Sequence, residues 1–425
     1  MITAPPFLLS LLEAPVAVLG DGVSGRAAAK LVNKLGAEVV IYDQRVGDGV
    51  DQEFDPGAHK LLVTSPGFEL GHSWVMAGRS AGLVCLTEID FAALFWRGEV
   101  VAVTGTNGKT TVTEFLSFAL TTAGKDASAV GNVGNAFSEV VAKRDGGAPD
   151  SIAICEVSSF QAEALHHFRA DAAIWTNFAE DHLERHASMQ GYFMAKWRLF
   201  ERAIGGQVFA GSSVARAAEH FGQSLPEAAI VDTEESAGDI LLRGTVFDTH
   251  PQRENFLLTA AWWRAAGLRE PALYAAAQNY VIGPHRLTRI GEFDGAVWWD
   301  DSKATNFHAT EAALSQFGGK VVLIAGGKSK GGDIEAFVSR IQSRLKHVLL
   351  IGETRNILAT LFGAAGVPHT GCADLAAAVR GAMAVSDSGD DVLLSPGFSS
   401  LDQFSGYAER GESFVQLLKS AVFSS

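Results

Sequence analysis

The chain has few cysteines, no long apolar run and no excess of positive charge, and each absence argues against a class of protein. Its three cysteines, Cys85, Cys155 and Cys372, form no C-x-x-C pair, which argues against a disulfide framework and a zinc site. No apolar stretch reaches the roughly 18 residues that a membrane-spanning helix needs. The net charge of −14 disfavours nonspecific binding to DNA or RNA, because their phosphates would be repelled.

The N-terminal segment also lacks the features of a secretion signal. It has no basic flank and no clean cleavage site, and its apolar residues continue into a strand-like run at residues 16–19. We therefore expect a cytoplasmic protein. With 425 residues, of which 47% are hydrophobic and 19% charged, the chain is long enough for two to four globular domains.

What the sequence does contain is a turn typical of phosphate binding, TGTNGKTT at residues 104–111. An apolar, strand-like run precedes it, and residues 112–122 follow with helical spacing. Glycines let backbone N–H groups approach a phosphate, and the helix N-terminus adds unpaired donors. Val103 stands where the pattern G-x-x-x-x-G-K-[ST] has its first glycine. We predict that Lys109 binds the phosphates of ATP or a relative and that Thr110 ligates Mg²⁺; the alternative is a tight turn that merely contains a lysine.

A second glycine-rich turn, G-x-G-x-x-G at residues 20–25, belongs to a βαβ unit near the start of the chain. In a dinucleotide enzyme it would hold the diphosphate, and Asp43 would hold a ribose hydroxyl. Any nucleotide diphosphate could occupy the same helix N-terminus, and a purely structural turn is the other interpretation. Two turns of the phosphate-binding type predict two phosphorylated ligands. A protein that binds both ATP and a nucleotide-linked substrate would explain them.

Ionisable side chains follow further strand-like runs. Glu156 ends a buried-type strand and is placed to ligate Mg²⁺, the alternative being a helix cap or a solvated acid. His182 also follows a strand and is flanked by Asp181, so we predict a functional rather than a packing histidine. By spacing alone Lys196, in a helical and mostly apolar segment, is predicted to extend its amine to solvent.

The alternation of strands and helices predicts an α/β protein of three domains. We place a Rossmann-like N-terminal domain at residues 1–92, a central P-loop ATPase-type domain at 93–282 and a Rossmann-like C-terminal domain at 283–425. The central sheet is expected to continue through residues 208–210 and 240–242. The loops after the strands of the last domain carry four polar residues that suit an anionic ligand: Asp301, Lys303, Lys330 and Ser400. The alternative is that these loops are merely solvated.

Taken together, these motifs resemble the Mur ligases of peptidoglycan synthesis, and within them the branch that adds D-glutamate. The resemblance covers nearly the whole chain, and the shortened P-loop is this family's own form. The motifs that carry it are residues 20–25, 65–67 (SPG), 104–111, 131–134 (GNVG), 156–161 (EVSSFQ), Asn177 with 181–186 (DHLERH), 192–196, 285–286, 301–306 (DSKATN), 326–331 and 395–410.

The resemblance implies a role for each matching residue. The substrate UDP-N-acetylmuramoyl-L-alanine would be held by Val23, Ser24 and Gly25 at its diphosphate, by Gln44 and Arg45 near its uracil, and by Ser65, Gly67, Asn132, Ser158, Gln161 and His182. ATP would be held by Gly105, Thr106, Asn107, Gly108, Lys109, Thr110 and Thr111, with Asn255, Arg286 and Asp301 at its adenine, phosphate and ribose. Glutamate would be surrounded by Lys303, Thr305, Lys330, Ser400 and Tyr407.

Two Mg²⁺ ions are also implied, with Thr110, Glu156, His182 and Lys196 as ligands. Lys196 matches a lysine that is carbamylated in this family, and a carbamate is an anionic oxygen ligand whereas an ammonium would repel the metal ions. The implied activity is ATP-dependent amide ligation through an acyl phosphate, by a monomer that binds neither nucleic acid nor membrane. Its catalytic residues would be Lys109, Lys196, His182 and Arg286.

The chain departs from the family pattern at three places. Pro251-Gln252 replaces His-Asn ahead of Asn255, Gly397-Phe398-Ser399 replaces a run of small residues beside Ser400, and Tyr407 stands where phenylalanine is common. The last two lie at the implied amino-acid pocket. The nearest alternative is therefore the same chemistry with L-glutamate or another amino acid, as in other Mur or folylpolyglutamate-type ligases. Other classes are an NAD(P)-dependent oxidoreductase, which leaves the P-loop unexplained, and a non-catalytic UDP-sugar-binding protein.

Overall fold

The computed structural model describes residues 2–44, 53–233 and 239–423. By their internal contacts they divide into two compact units, unit 1 with Met1–Phe178 and Gln190–Tyr280, and unit 2 with Ala179–Met189 and Val281–Ser425. The described residues form three sheets, two in unit 1 and one in unit 2. The predicted α/β fold class is confirmed, while the three domain boundaries stay predictions.

The first sheet of unit 1 has four parallel strands in the order β2-β1-β3-β4. Its central strands are buried along their whole length, which explains their continuous aliphatic sequence. The strands are β1 (Val16–Leu19), β2 (Val39–Tyr42), β3 (Leu61–Thr64) and β4 (Val84–Thr87), and the helices are α1 (Pro6–Leu9), α2 (Val23–Lys34), α3 (Ser73–Ser80) and α4 (Glu88–Ala93).

The second sheet of unit 1 has six parallel strands in the order β10-β9-β8-β5-β7-β6. The strands are β5 (Glu99–Thr104), β6 (Ala127–Gly131), β7 (Ile152–Glu156), β8 (Ala172–Trp175), β9 (Val208–Gly211) and β10 (Ile230–Val231). The next helices are α5 (Lys109–Thr122), α6 (Phe137–Lys143), α7 (Ser159–Glu163), α8 (Leu183–His186, in unit 2), α9 (Met189–Phe200), α10 (Ser212–His220), α11 (Gln252–Ala265) and α12 (Glu270–Asn279).

The strand predicted at residues 240–242 is wrong. These residues form one turn of 3₁₀ helix, because the Asp239 side chain accepts the N–H of Leu241 and caps the turn. Ile240 and Leu241 are 72% and 54% exposed, so neither side chain packs against a sheet. The sheet ends instead at β10, which pairs with β9.

The sheet of unit 2 has the order β11-β12-β16-β13-β14-β15, with only the β11–β12 hairpin antiparallel. Asp294 and Gly295 turn this hairpin with positive φ, as a tight two-residue connection requires. The strands are β11 (Thr288–Phe293), β12 (Ala296–Asp300), β13 (Val321–Gly326), β14 (Leu345–Ile351), β15 (His369–Gly371) and β16 (Asp391–Leu394). The helices are α13 (Phe307–Leu314), α14 (Ile334–Ile341), α15 (Arg355–Ala364), α16 (Leu375–Val385) and α17 (Tyr407–Phe423).

Parallel strands bring their carboxyl ends to one edge of a sheet, where ligands of α/β proteins bind. In unit 1 this edge collects the residues that follow β5, β7 and β8, since Val103 pairs with Glu156 and Thr104 with Trp175. Across the described ranges, no helix is both long and apolar enough to cross a lipid bilayer.

Candidate functional site

The loop between β5 and α5 has a shape that glycine makes possible. Gly108 caps α5 with φ 79°, and a Cβ there would lie 2.1 Å from the Asn255 Oδ1. Gly105 has φ 153°, and a Cβ there would lie 1.8 Å from the Thr176 hydroxyl oxygen. Lys109 begins α5 and donates from Nζ to the carbonyl oxygens of Gly105 and Thr106, 2.9 Å from each. A lysine curled over a glycine loop at a helix N-terminus is suited to a phosphate.

Two buried residues after β8 hold this loop in place. Asn177 accepts the N–H of Asn107 through Oδ1 at 2.9 Å and the N–H of Thr106 through its backbone carbonyl at 3.0 Å. The Thr176 hydroxyl donates to the Asn107 carbonyl at 2.5 Å. The loop is therefore ordered by the protein itself, so an anion that binds there does not have to pay the whole cost of ordering it.

Glu156 supplies a carboxylate oxygen that none of the described residues satisfies. Its Oε1 accepts from Asn132 Nδ2 at 2.9 Å, whereas its Oε2 is buried without a hydrogen-bond partner. Such an atom is costly unless a cation or water meets it. Thr110 is buried in the first turn of α5. Since Mg²⁺ commonly takes one or two carboxylates together with phosphate oxygens and waters, Glu156 and Thr110 fit that ion.

No group of three or more His, Cys, Asp or Glu side chains in the described part of the chain could hold a metal ion. A site of this kind would thus depend on ligand oxygens from a nucleotide as well as on Glu156 and Thr110.

Lys196 does not reach solvent, contrary to the prediction from its helical spacing. It is 1% exposed, and its Nζ donates to the Gly105 carbonyl at 2.7 Å and to the Thr104 hydroxyl at 3.3 Å. The Tyr192 ring lies 4.9 Å from the ammonium, within cation–π range. The prediction failed because the end of the sheet, and not the surface, receives this side chain. An ammonium cannot ligate Mg²⁺, but the carbamate that the resemblance implies could.

The first glycine turn packs closely against the loop after β3. A Cβ on Gly25 would lie 1.7 Å from the Gly20 carbonyl oxygen, and one on Gly20 would lie 2.8 Å from the Ser65 hydroxyl. Ser65 Oγ is buried and has no hydrogen-bond partner among the described residues. Asp43 accepts the N–H of Asp21 at 2.6 Å. The other residues predicted to hold the nucleotide substrate lie at the ends of the same strands. Val23 and Ser24 begin α2, Gln44 lies after β2, and Gly67 lies in the loop after β3. Arg45 lies outside the described residues.

Ser158 and Gln161, predicted to contact the same substrate, form the capping box of α7. The Ser158 hydroxyl accepts the Gln161 N–H at 3.2 Å, and Gln161 Oε1 accepts the Ser158 N–H at 3.0 Å. Asn255, predicted to contact adenine, donates to Gln252 Oε1 at 2.9 Å. Its own Oδ1 is buried and meets no hydrogen-bond donor in the part of the chain that the structure describes.

In unit 2 a narrow cleft contains a largely buried ion pair. Lys330 donates to Asp181 Oδ1 at 2.8 Å and to the Thr305 hydroxyl at 3.5 Å, and Asn306 donates to Asp181 Oδ2 at 3.1 Å. Burial by itself would raise the pKa of Asp181, but Lys330 and His182 outweigh burial and lower that pKa. The rest of the cleft is formed by Glu180, Leu183, Phe307, Gly331, Gly397 and Phe398. The cleft thus presents the charged and polar groups that could recognise an amino acid.

Lys303 and Tyr407 form a second pair, with Lys303 Nζ 3.4 Å from the phenol oxygen and 5.0 Å from the ring centre. Arg410, 1% exposed, donates to the hydroxyl and carbonyl of Ser302 at 3.0 and 2.8 Å and to the Phe398 carbonyl at 3.2 Å. Burial lowers the pKa of Arg410 to about 10. Four of the residues predicted to bind the amino acid therefore meet in two pairs, Thr305 with Lys330 and Lys303 with Tyr407. The fifth, Ser400, is buried, with an exposed fraction of 3%.

The predicted ATP and metal residues are divided between the units. Lys109, Thr110, Glu156, Lys196 and Asn255 belong to unit 1, whereas His182, Arg286 and Asp301 belong to unit 2. Within unit 2, His182 lies 3.6 Å from Asp181 and 3.4 Å from Glu184. Asp301 accepts the Leu287 N–H at 3.0 Å and the Ser395 hydroxyl at 2.8 Å. Burial raises the pKa of Asp301 to about 7 despite these two hydrogen bonds.

Sequence reasoning missed three contributors to these sites. Thr176 directly follows a strand, a position that could have indicated its role. Asp181 was noted only as the neighbour of His182, and its pairing with Lys330 joins residues 149 positions apart. Arg410 sits in the amphipathic helix α17, where no local pattern separates a buried arginine from a solvated one.

Known proteins resemble this chain along its length. The family model for the Mur ligase middle domain matches residues 103–233, and that for the Mur ligase glutamate ligase domain matches residues 285–398. The UDP-N-acetylmuramoylalanine–D-glutamate ligase of Shouchella clausii is 32% identical, over 97% of this chain and 98% of its own. The enzyme of the same name from Myxococcus xanthus is also 32% identical, over 97% and 99%.

Solved structures share the fold at much lower identity. UDP-N-acetylmuramate–alanine ligase (MurC) of Thermotoga maritima superposes with a TM-score of 0.60 at 14% identity, covering 96% of this chain and 100% of its own. MurF ligase of the same organism, in complex with ADP, superposes with a TM-score of 0.58 at 15% identity, covering 96% and 95%.

Proposed function

The chain belongs to the Mur ligase family of ATP-dependent ligases, and we propose that it joins D-glutamate to UDP-N-acetylmuramoyl-L-alanine. The family predicted from the motifs is confirmed. The observation that carries the proposed reaction is the match over 97% of the chain to relatives that bear this activity in their name. We propose further that the enzyme works as a monomer in the cytoplasm.

The chemistry is a two-step activation of a carboxylate. The alanine carboxylate attacks the γ-phosphorus of ATP, the bond to the β-phosphate oxygen breaks, and an acyl phosphate and ADP form. The amine of D-glutamate then attacks the acyl carbon, and the tetrahedral intermediate expels phosphate as the amine loses its proton. No nucleophilic side chain is needed, so the protein contributes positioning and charge neutralisation.

In unit 1 the loop after β5 is proposed to hold the ATP phosphates. Lys109 and the N–H groups at the start of α5 neutralise phosphate charge. Mg²⁺, when bound, would offset the negative charge that develops on the phosphate oxygens. Glu156 and Thr110 are the residues we propose to hold that ion, and Lys196 would join them as its carbamate.

In unit 2 the cleft around Lys330 is proposed to bind the amino acid. The ammonium of Lys330 and the hydroxyl of Thr305 suit a carboxylate of the incoming glutamate. Asp181 holds Lys330 in place and is itself held by Asn306. Arg286 is proposed to contact ATP phosphate, and Asp301 its ribose.

A product assay tests the proposal. The purified protein is supplied with ATP, Mg²⁺ and UDP-N-acetylmuramoyl-L-alanine, and D-glutamate, L-glutamate, D-aspartate or L-lysine is varied. We expect ADP and one amide product whose mass and chirality identify D-glutamate. A product formed equally well from L-glutamate would contradict the proposed acceptor, and ATP turnover without an amide product would contradict ligation itself.

A further inference from the structure

The segment that carries Arg286 rests on a buried imidazole–carboxylate pair that has no part in the roles above. His285 Nδ1 donates to Asp300 Oδ2 at 2.6 Å, and the two side chains are 9% and 2% exposed. The other oxygen, Asp300 Oδ1, accepts the N–H of Ser302 at 2.9 Å. One carboxylate therefore joins the segment before β11 to the loop after β12.

The backbone on both sides of Arg286 is held in an uncommon conformation. His285 has φ 63° and Leu287 has φ 48°, a left-handed region that bulky residues adopt only when their surroundings enforce it. The enforcing contacts are the His285–Asp300 pair and the hydrogen bond from the Leu287 N–H to Asp301 at 3.0 Å. Strain that persists on both sides of one residue indicates that the orientation of this residue matters.

Helix α17 makes room for the buried imidazole. A Cβ on Gly411 would lie 2.1 Å from His285 Nδ1, so any side chain there would displace the ring from Asp300. The carbonyl of His285 also accepts the N–H of Lys303 at 3.0 Å, which ties the same segment to a residue of the proposed amino-acid site.

We propose that Asp300 is a positioning residue, which acts through His285 to hold Arg286 in the orientation that the ligation requires. The proposal rests on the proposed function, since it takes Arg286 to be a phosphate contact. If the pair is broken, the segment relaxes from its left-handed conformation and Arg286 moves. A displacement of about 1 Å at a reacting group can cost about 10²-fold in rate.

The first test is Asp300→Asn, which keeps the size of the side chain. The amide oxygen can still accept the Ser302 N–H, but the amide nitrogen is a donor, so the charge-assisted hydrogen bond from the His285 Nδ1–H to the Asp300 carboxylate is lost. We expect kcat to fall about 10²-fold, with the KM for UDP-N-acetylmuramoyl-L-alanine changed less than about twofold. The matched control is Asp391→Asn on the neighbouring strand β16, whose oxygen accepts the Trp299 indole N–H at 2.8 Å and can still do so as an amide.

A double-mutant cycle separates positioning from mere loss of structure. In an Arg286→Ala background, Asp300→Asn should change kcat less than about twofold, because the residue that it positions is gone. An equal loss in both backgrounds, or wild-type kcat in Asp300→Asn alone, would overturn the proposal. Hydrogen exchange should become faster at the amides of Leu287 and Lys303 in Asp300→Asn but not in Asp391→Asn.

His285 provides an independent pair of variants should Asp300→Asn fail to fold. Asparagine tolerates positive φ and can donate to Asp300, whereas alanine can do neither well. We therefore expect His285→Asn to keep kcat within about tenfold of wild type and His285→Ala to lose about 10²-fold. Wild-type activity of His285→Ala would overturn the proposal. If the wild-type enzyme forms no D-glutamyl product, the proposed function fails, while the hydrogen-exchange comparison still decides whether Asp300 orders this segment.

Discussion

At the scale of single residues, two cations converge on one carbonyl. Lys109 and Lys196 both donate to the oxygen of Gly105, at 2.9 and 2.7 Å. Two ammonium groups this close repel each other, and an anion bound beside them, or conversion of one to an anionic carbamate, removes that repulsion. The geometry therefore favours an anion beside these two side chains, which the proposed phosphate site or the proposed carbamate of Lys196 would supply.

The change Lys109→Ala tests the phosphate site. We expect kcat/KM to fall at least about 10³-fold, because the ammonium neutralises charge on the transferring phosphoryl group. The measurement is phosphate release with saturating UDP substrate. Lys143→Ala is the control, since that lysine is 69% exposed and forms a surface ion pair with Glu139. Activity within tenfold of wild type in Lys109→Ala would refute the assignment.

At the scale of elements, α5 begins and ends at left-handed glycines with different tasks. Gly108 and Gly124 have φ 79° and 77°. A Cβ on Gly124 would meet nothing within 4 Å, whereas one on Gly108 would strike Asn255. The first glycine therefore serves both the loop after β5 and the helix, whereas the second only ends the helix.

These two glycines make a matched pair of alanine variants. Gly124→Ala should lower the free energy of unfolding by about 1–2 kcal/mol, the cost of a left-handed alanine, and leave activity unchanged. Gly108→Ala should cost more and also raise the KM for ATP at least about tenfold, because Asn255 and the loop must shift. Chemical denaturation and ATP kinetics on both variants give the comparison. Equal behaviour of the two would show that the contact with Asn255 has no consequence.

At the scale of the whole molecule, each unit buries a carboxyl group with a raised pKa. In unit 1, burial raises the pKa of Glu88 to about 7, partly offset by the Ser138 N–H that it accepts at 2.6 Å. In unit 2, burial raises that of Asp301 to about 7. Between its unfolded and folded pKa values, each group holds a proton in the folded protein that the unfolded chain has already released.

The sign of the pH dependence follows from this difference. Between about pH 4.5 and 7 the folded state binds more protons, so the free energy of unfolding should fall as pH rises, by up to about 3 kcal/mol for Glu88. Glu88→Gln should remove that part of the slope, since its amide oxygen can still accept from Ser138. Urea unfolding across this pH range measures the slope. The control is Glu13→Gln, because the Glu13 side chain is 75% exposed. Parallel curves for wild type and Glu88→Gln would contradict the raised pKa.

The amino-acid sequence alone determined the fold class, the family and the positions of the two glycine-rich turns that we propose bind phosphate. These features depend on residues adjacent in the chain, such as the glycines and lysine of residues 104–111, whose local conformation creates the helix N-terminal site. Strand positions followed from aliphatic runs for the same reason. The 3₁₀ turn at residues 240–242 escaped this reasoning, because an apolar run does not reveal whether a sheet is there to cover it.

Only the tertiary structure decided which distant side chains meet. The amine of Lys196 turns inward to the Gly105 carbonyl, Asp181 receives Lys330, and Asp300 receives His285. Each of these contacts depends on the path of the backbone between residues far apart in the chain. Burial then determines the chemistry of such groups, because desolvation and a charged neighbour have no local sequence signature.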